Sequence, residues 1–271
     1  MKNLFDIKDK VAVITGAGGT LGSSAAKALA AAGVKTILLG RNFENIKAVA
    51  DAIQLSGGEA HPIKADVLDK AGLEIVKDEI LKKYKSVDIL LNIAGGNMPG
   101  ATIGVGQTIF DIDLNDMNKV VDLNLNGTII PSLVFGKTMA EQNKGVIINY
   151  SSMAVPQVIT RVAGYSASKA AMENFTRWMA VEMASKFNGN IRVNAIAPGF
   201  FIGKQNKSLL TNPDGSYTDR GTTIIKNTPM NRFGEADELN GLLHFLCSDA
   251  SKFITGTVIP VDGGFSAFSG V

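Results

Sequence analysis

A chain of 271 residues with 45% hydrophobic and 19% charged residues, 29 glycines and 8 prolines can build a large core, which excludes a disordered or collagen-like protein. Its 27 lysines and arginines nearly balance 25 aspartates and glutamates without clustering, which argues against nucleic acid or an anionic membrane as partner and for a small molecule. One cysteine, Cys247, leaves no intrachain disulfide, and His61 and His244 are too far apart in sequence for a His-rich metal cluster, so a reduced, cytoplasmic compartment and no bound metal are expected. Met1 to Lys10 alternates charged and apolar residues, and no segment reaches the roughly 18 to 20 apolar residues of a membrane span.

Short β-branched runs alternate with longer helical patterns, the rhythm of a parallel sheet covered by helices on both faces. Strands are predicted at Lys10 to Thr15, Thr36 to Leu39, Glu59 to Ala65, Val87 to Ile93, Gly145 to Ser151, Ile191 to Ile196 and Thr257 to Val261, with helices between them. The first helix is alanine-rich and ends near Gly33, a suitable C-terminal cap. Continuous apolar runs such as Val146-Ile147-Ile148 fit strands buried on both faces. The fold class is therefore α/β, a doubly wound, seven-stranded parallel sheet in one domain covering 1–271. Only residues 198–233 break the rhythm, polar and turn-rich, and they read as a substrate lid.

Thr15-Gly16-Ala17-Gly18-Gly19-Thr20-Leu21-Gly22 links the first strand to the first helix. There the backbone N–H groups and the helix N-terminus can face a pyrophosphate. Strict G-x-G-x-x-G spacing is not met, because Leu21 stands at the third glycine; Gly16, Gly19 and Gly22 are instead spaced G-x-x-G-x-x-G. In dinucleotide folds an acid about 20 residues further on receives the ribose hydroxyls, whereas an arginine accommodates the extra phosphate of NADP. Here Gly40-Arg41-Asn42 ends the second strand, and the guanidinium fork of Arg41 favours NADP(H), with NAD(H) also accommodated. Asn42 could equally cap the following helix, and Asp66 could accept from the adenine amino group or cap a helix.

Tyr165 and Lys169, in Tyr165-Ser166-Ala167-Ser168-Lys169, are four apart in a helical pattern running to about Phe187, so they share a face. A neighbouring ammonium would stabilise the phenolate and lower the tyrosine pKa by about one to three units, poising Tyr165 for proton transfer.

These features stand in a longer series. Thr15 to Gly22, Asn92-Ile93-Ala94-Gly95, Asn124, Ser152 thirteen residues before Tyr165, Lys169, and Asn194-Ala195-Ile196-Ala197-Pro198-Gly199 have the order and spacing of the short-chain dehydrogenase/reductase family, which the chain resembles over essentially its whole length. The resemblance implies a Rossmann fold and a nicotinamide cofactor contacted by Gly16, Gly19, Thr20, Leu21, Gly22, Arg41, Asp66, Val67, Asn92, Ala94, Gly95, Tyr165, Lys169, Pro198 and Gly199. It implies that Tyr165 exchanges a proton with the substrate oxygen, Ser152 holds that oxygen, Lys169 grips the nicotinamide ribose and Asn124 orders a water. It also implies a homo-oligomer, dimer or tetramer. Two departures stand out. Thr20 replaces the family's middle glycine, and Gly203 lies where a threonine usually follows Pro-Gly.

The variable segments Ala94-Gly95-Gly96-Asn97-Met98-Pro99, Pro198-Gly199-Phe200-Phe201 with Gln205-Asn206, Thr228 to Gly234 and Pro260 to Val271 are similar to the D-mannonate oxidoreductase, or fructuronate reductase, branch. That implies a sugar acid as substrate. Asn97, Lys204, Gln205, Asn206, Arg161, Arg220 and Arg232 are candidates to hold its hydroxyls and carboxylate. The apolar residues of the lid, Phe200, Phe201, Leu209, Leu210 and Tyr217, keep a 3-oxoacyl thioester or other ketone as the alternative. A non-catalytic nucleotide-binding regulator is disfavoured because Ser152, Tyr165 and Lys169 are all present.

Overall fold

The computed structural model describes residues 3–187, 189–203 and 206–270. Seven strands among them, β1 (Val11–Thr15), β2 (Lys35–Gly40), β3 (Ala60–Lys64), β4 (Ile89–Asn92), β5 (Gly145–Tyr150), β6 (Ile191–Pro198) and β7 (Val258–Val261), form one parallel sheet in the order β3-β2-β1-β4-β5-β6-β7. The chain reverses direction across the sheet between β1 and β4, where open α/β sheets form a crevice beyond the strands' carboxyl ends.

Side chains alternate between the faces at period two. On one face Ala12 and Ile14 of β1 pack with Ala25 and Leu29 of α1 (Thr20–Ala31), Ile46 and Val49 of α2 (Phe43–Leu55), and Leu243 and Leu246 of α9 (Asn240–Cys247). Opposite them Val11, Val13, Ile37 and Leu39 meet Leu73 and Ile80 of α3 (Lys70–Tyr84), Phe135 and Met139 of α5 (Gly127–Gln142), and Met179 and Met183 of α6 (Ala163–Lys186). Each such fully buried aliphatic side chain contributes roughly 1.5 to 3 kcal/mol through removal from water.

The predicted elements all appear, with boundaries shifted by one or two residues. β4 is shorter than Val87 to Ile93, because Val87 N–H is claimed by the Gln142 side chain and Ile93 N–H by Thr15 Oγ1. β6 runs on to Pro198, paired with Val261. Gly33 closes α1 as expected, with φ +81° and its N–H on the Ala30 carbonyl. Residues 198–233, expected as a turn-rich loop, carry two short helices, α7 (Lys207–Leu210) and α8 (Asp219–Lys226). The apolar positions of these helices close over a small core of their own, Leu210, Ile224, Ile225 and Phe233. Between β4 and α5 lie α4 (Leu114–Val121) and a π-helical turn, Asp122–Asn126.

Candidate active site

A cavity of about 610 Å³ opens at the carboxyl edge of the sheet. Its floor is the β1–α1 turn. Gly16 has φ +66°, and a Cβ there would sit 2.8 Å from Ala94 N; a Cβ at Gly22 would collide with the Gly16 carbonyl. The turn therefore folds tightly against the loop after β4. Thr15 ties the two together, its hydroxyl donating to Leu91 O and accepting from Ile93 N and Ala94 N (3.1–3.2 Å). Helix α1 begins at Thr20, after Gly19, with no side-chain cap and no acid in its first turn, so its amides and positive dipole end face the cavity. Thr20, the departure from the glycine pattern, leans on the lid: a Cβ at Gly203 would lie 3.1 Å from its hydroxyl.

The deeper wall carries the predicted proton-transfer residues. Ser152, just beyond β5, accepts from Ala154 N (3.1 Å) and is hydrogen-bonded to the Tyr165 phenol. Its neighbour Ser151 points the other way, donating to buried Glu173 (2.6 Å), which Arg177 also contacts. This separates the two serines in favour of Ser152. Tyr165 lies in the first turn of α6, with Lys169 one turn on, its Nζ 5.7 Å from the phenol ring centre. Asn124 sits in the π turn, where the widened backbone leaves the Val120 carbonyl to its side chain. Asn124 Nδ2 donates to Val120 O (2.8 Å) and Gly96 O (2.7 Å), and Oδ1 accepts from Gly96 N (3.1 Å). That clamp holds the Gly95–Gly96 backbone so close that a Cβ at Gly95 would lie 2.8 Å from Asn124 Oδ1 and 3.3 Å from Lys169 Nζ.

Burial sets the electrostatics. Lys169 is 4% exposed, and burial lowers its pKa to about 8. Its ammonium donates to Tyr150 O (2.6 Å). Burial raises the Tyr165 pKa, and the Ser152 hydrogen bond acts in the opposite direction. The depression of Tyr165 by Lys169 expected from the sequence is not found in this arrangement. The reason is geometric: the ammonium is directed to the Tyr150 carbonyl, and desolvation dominates the phenol.

Of the predicted cofactor residues, Gly16, Gly19, Thr20, Leu21, Gly22, Arg41, Val67, Ala94, Gly95, Tyr165, Lys169, Pro198 and Gly199 line this cavity. Two do not. Asp66 turns its carboxylate to Leu68 N (3.0 Å) in the loop, the following helix being capped by Asp69 instead, and Asn92 spends its amide on Ser132 and Asn149 inside the fold (2.9 Å each). Asn42 does cap α2, accepting from Asn45 N. Asn45, Leu123 and Ile202 also line the cavity and were not anticipated; only their proximity to the named motifs marks them in sequence.

The substrate candidates divide. Arg232 is committed to Glu238 through two hydrogen bonds (2.5 and 2.7 Å), which hold that carboxylate down at about 2. Asn206 bonds Phe201 O and Gly203 N, and Asn97 bonds Thr102. Lys204 and Gln205 lie outside the described residues. Among the described residues no group of three His, Cys, Asp or Glu side chains could hold a metal, and no helix is long and apolar enough to cross a membrane.

The glycine cradle, the uncapped helix end and the crevice at the sheet's reversal fit a dinucleotide, and the Ser152–Tyr165–Lys169 cluster beside it fits carbonyl/alcohol chemistry. Fold and site thus define a nicotinamide-dependent oxidoreductase. A family model described as Enoyl-(Acyl carrier protein) reductase matches residues 16–266. An uncharacterized oxidoreductase of Bacillus subtilis is 45% identical over 275 residues, 98% of each chain. A crystal structure with bound NAD, of a protein from Haemophilus influenza provisionally assigned as a D-mannonate oxidoreductase, is 44% identical with TM-score 0.92 over 98% of each chain. Another, with NADP at low occupancy, of a protein from Beutenbergia cavernae provisionally assigned as an NAD(P)-dependent gluconate 5-dehydrogenase, is 32% identical with TM-score 0.86, covering 98% of this chain and 100% of that one. The chain belongs to the short-chain dehydrogenase/reductase family.

Proposed function

We propose that this enzyme interconverts a keto group and a secondary alcohol on a sugar acid of the fructuronate/mannonate type. The observation that carries the reading is the 44% identity, over nearly the whole length, to the Haemophilus protein. The nicotinamide supplies or accepts the hydride. Tyr165 gives a proton to the substrate oxygen in reduction and takes it back in oxidation. Ser152, already hydrogen-bonded to the phenol, would donate to the same oxygen and stabilise its developing charge. Lys169 is placed to hold the nicotinamide ribose. Asn124 fixes the Gly95–Gly96 backbone beside it and orders the water through which a proton leaves.

NADP(H) is the preferred cofactor in this reading and NAD(H) is usable. Arg41 lines the cavity at the end of β2, and among the described residues no carboxylate lines it with Arg41. The enzyme is read as a cytoplasmic dimer or tetramer, supported by the buried free thiol of Cys247 and by the exposure of Leu133 on α5 and of Trp178 and Val181 on α6.

The test is nicotinamide absorbance with NADPH and NADH in parallel against fructuronate, 5-ketogluconate and an acetoacetyl thioester, with the mass in solution measured on the same sample. Fastest oxidation of NADPH with fructuronate is expected. Preference for the thioester would overturn the substrate reading and leave the hydride chemistry standing.

A further inference from the structure

Tyr165, Lys169 and Glu173 recur every four residues along α6 and so share one face of it. All three reach the chain where it leaves β5. Tyr165 is hydrogen-bonded to Ser152, Lys169 Nζ donates to Tyr150 O (2.6 Å), and Glu173 Oε1 accepts from Ser151 Oγ (2.6 Å). The first two contacts belong to the proton-transfer site. The third lies directly behind it, since Ser151 lines the cavity together with Ser152.

Glu173 is 5% exposed, the only carboxylate among the described residues to be buried so deeply, and a buried acid lowers stability unless its oxygens are met. Its second oxygen meets Arg177 Nη2 (3.2 Å), on a side chain about half exposed. Lys169, one turn away, is not its counter-ion, because that ammonium is directed to Tyr150 O. The buried oxygen is committed to a serine hydroxyl, and what this bond fixes is the orientation of the chain beyond β5. Successive side chains of an extended chain point to opposite sides. Ser151 is held by Glu173 through its hydroxyl and by Ile196 O of β6 through its N–H (2.7 Å), and the next hydroxyl, Ser152 Oγ, accepts from Ala154 N (3.1 Å). Glu173 and Tyr165 stand eight residues apart, about 12 Å along the helix. A rotation of the chain about its own axis that frees Ser151 from the one therefore carries Ser152 away from the other.

We propose that Glu173 is a positioning residue for the reaction: by holding the Ser151 hydroxyl it fixes the rotation of the chain beyond β5, so that Ser152 and Tyr165 converge on one substrate oxygen. The inference rests on Ser152 and Tyr165 as the oxygen-holding and proton-transferring residues, and not on the identity of the substrate. Misplacing a reacting group by about 1 Å can lower a rate by about 100-fold, so a fixed rotation matters to turnover more than to binding. An ionised carboxylate suits the task because it only accepts; neither of its oxygens can turn a competing N–H towards Ser151, as a glutamine amide can.

The experiment takes whichever of fructuronate, 5-ketogluconate and acetoacetyl thioester the wild type reduces fastest with NADPH, and measures kcat per cofactor site, the sites being counted by fluorescence titration. The variants are Glu173→Met, Glu173→Gln, Ser151→Ala, and Ser152→Ala alone and combined with each of Glu173→Met and Ser151→Ala. Glu173→Met and Ser151→Ala should each lower kcat about tenfold or more and leave KM for NADPH nearly unchanged, and Glu173→Gln, which keeps an acceptor, should recover most of the loss. Ser152→Ala should lower kcat about 100-fold or more. Once the side chain being positioned is gone, adding Glu173→Met or Ser151→Ala to Ser152→Ala should lower kcat less than about twofold further. A residue that only supports the helix lowers kcat by the same factor in both backgrounds, so equal losses overturn the proposal. Loss of turnover in Ser152→Ala with none in Ser151→Ala overturns it as well and leaves the reading of Ser152 standing, whereas full turnover in Ser152→Ala overturns both. Ser151→Ala removes a single hydroxyl, so a folding defect in Glu173→Met leaves the test decisive.

Discussion

Burying Lys169 costs the fold stability, and the cost depends on pH in a calculable way. Its pKa falls from an ordinary 10.5 to about 8, with desolvation the cause. Between these values the unfolded chain binds a proton that the folded chain does not, so stability rises with pH across that window. At about 1.4 kcal/mol per pKa unit the penalty is about 3 kcal/mol at pH 7 and falls to about 1 kcal/mol at pH 10. Replacing Lys169 by Met removes the penalty and also the hydrogen bond to Tyr150 O, worth about 2 kcal/mol while the ammonium is charged and about 1 kcal/mol once the amine is neutral. Lys169→Met is therefore expected to be more stable than wild type by about 1 kcal/mol at pH 7 and about equal to it at pH 10. For a chain of this size that is a difference of about 2 °C in Tm at pH 7 that disappears by pH 10. Differential scanning calorimetry of both proteins at pH 7, 8.5 and 10, without cofactor, reads it directly, because groups common to the two proteins cancel in the difference. A stability difference that does not change with pH would refute the reasoning.

Tyr165→Phe should reduce kcat by at least about a thousandfold with cofactor affinity nearly unchanged, since general acid–base assistance and oxyanion donation are both lost while the ring remains. Comparable turnover in that variant, measured by nicotinamide absorbance, would reject Tyr165 as the proton donor. Arg41→Ala should weaken NADPH by about tenfold or more and NADH little, as one charge-assisted phosphate contact is removed; fluorescence titration with the two cofactors measures the difference, and equal losses would remove Arg41 from the phosphate site.

The sequence made the sheet legible because both determinants are local: β-branched runs with both faces apolar, and glycine where the β1–α1 turn needs φ +66°. Tyr165 and Lys169 were legible for the same reason, four residues apart on one helix. Other parts of the site depend on contacts between distant segments. No local pattern announces that the backbone widens at Asp122–Asn126, so the way Asn124 reaches Gly96 from that turn could not be read. Asp66 and Asn92 occupy positions from which a side chain could face the cofactor, and the choice fell to competing partners at shorter range, Leu68 N for one and the Ser132–Asn149 pair for the other. The lowered phenol pKa was inferred from spacing alone, whereas the ammonium's direction is set by a carbonyl at the end of β5.

The two ends of the sheet treat buried cations differently, and the contrast locates function without reference to motifs. At the amino edge Lys10 donates to the Cys247 carbonyl and Arg192 to those of Leu246 and Ser248, gathering the end of α9. Burial lowers both, but the charges of Asp249, and for Lys10 also Asp88, oppose that effect. Those cations are structural, and acids of the chain itself compensate them. At the carboxyl edge burial alone acts on Lys169, and Arg161 adds to the effect of burial on Arg220. Positive charge that the chain buries and leaves without an opposing acid lowers its own stability, so its retention at one edge needs a reason outside folding. Anionic and polar ligands supply one: the interactions unfavourable to the folded chain by itself are those that a ribose, a phosphate or a carboxylate would reverse on binding.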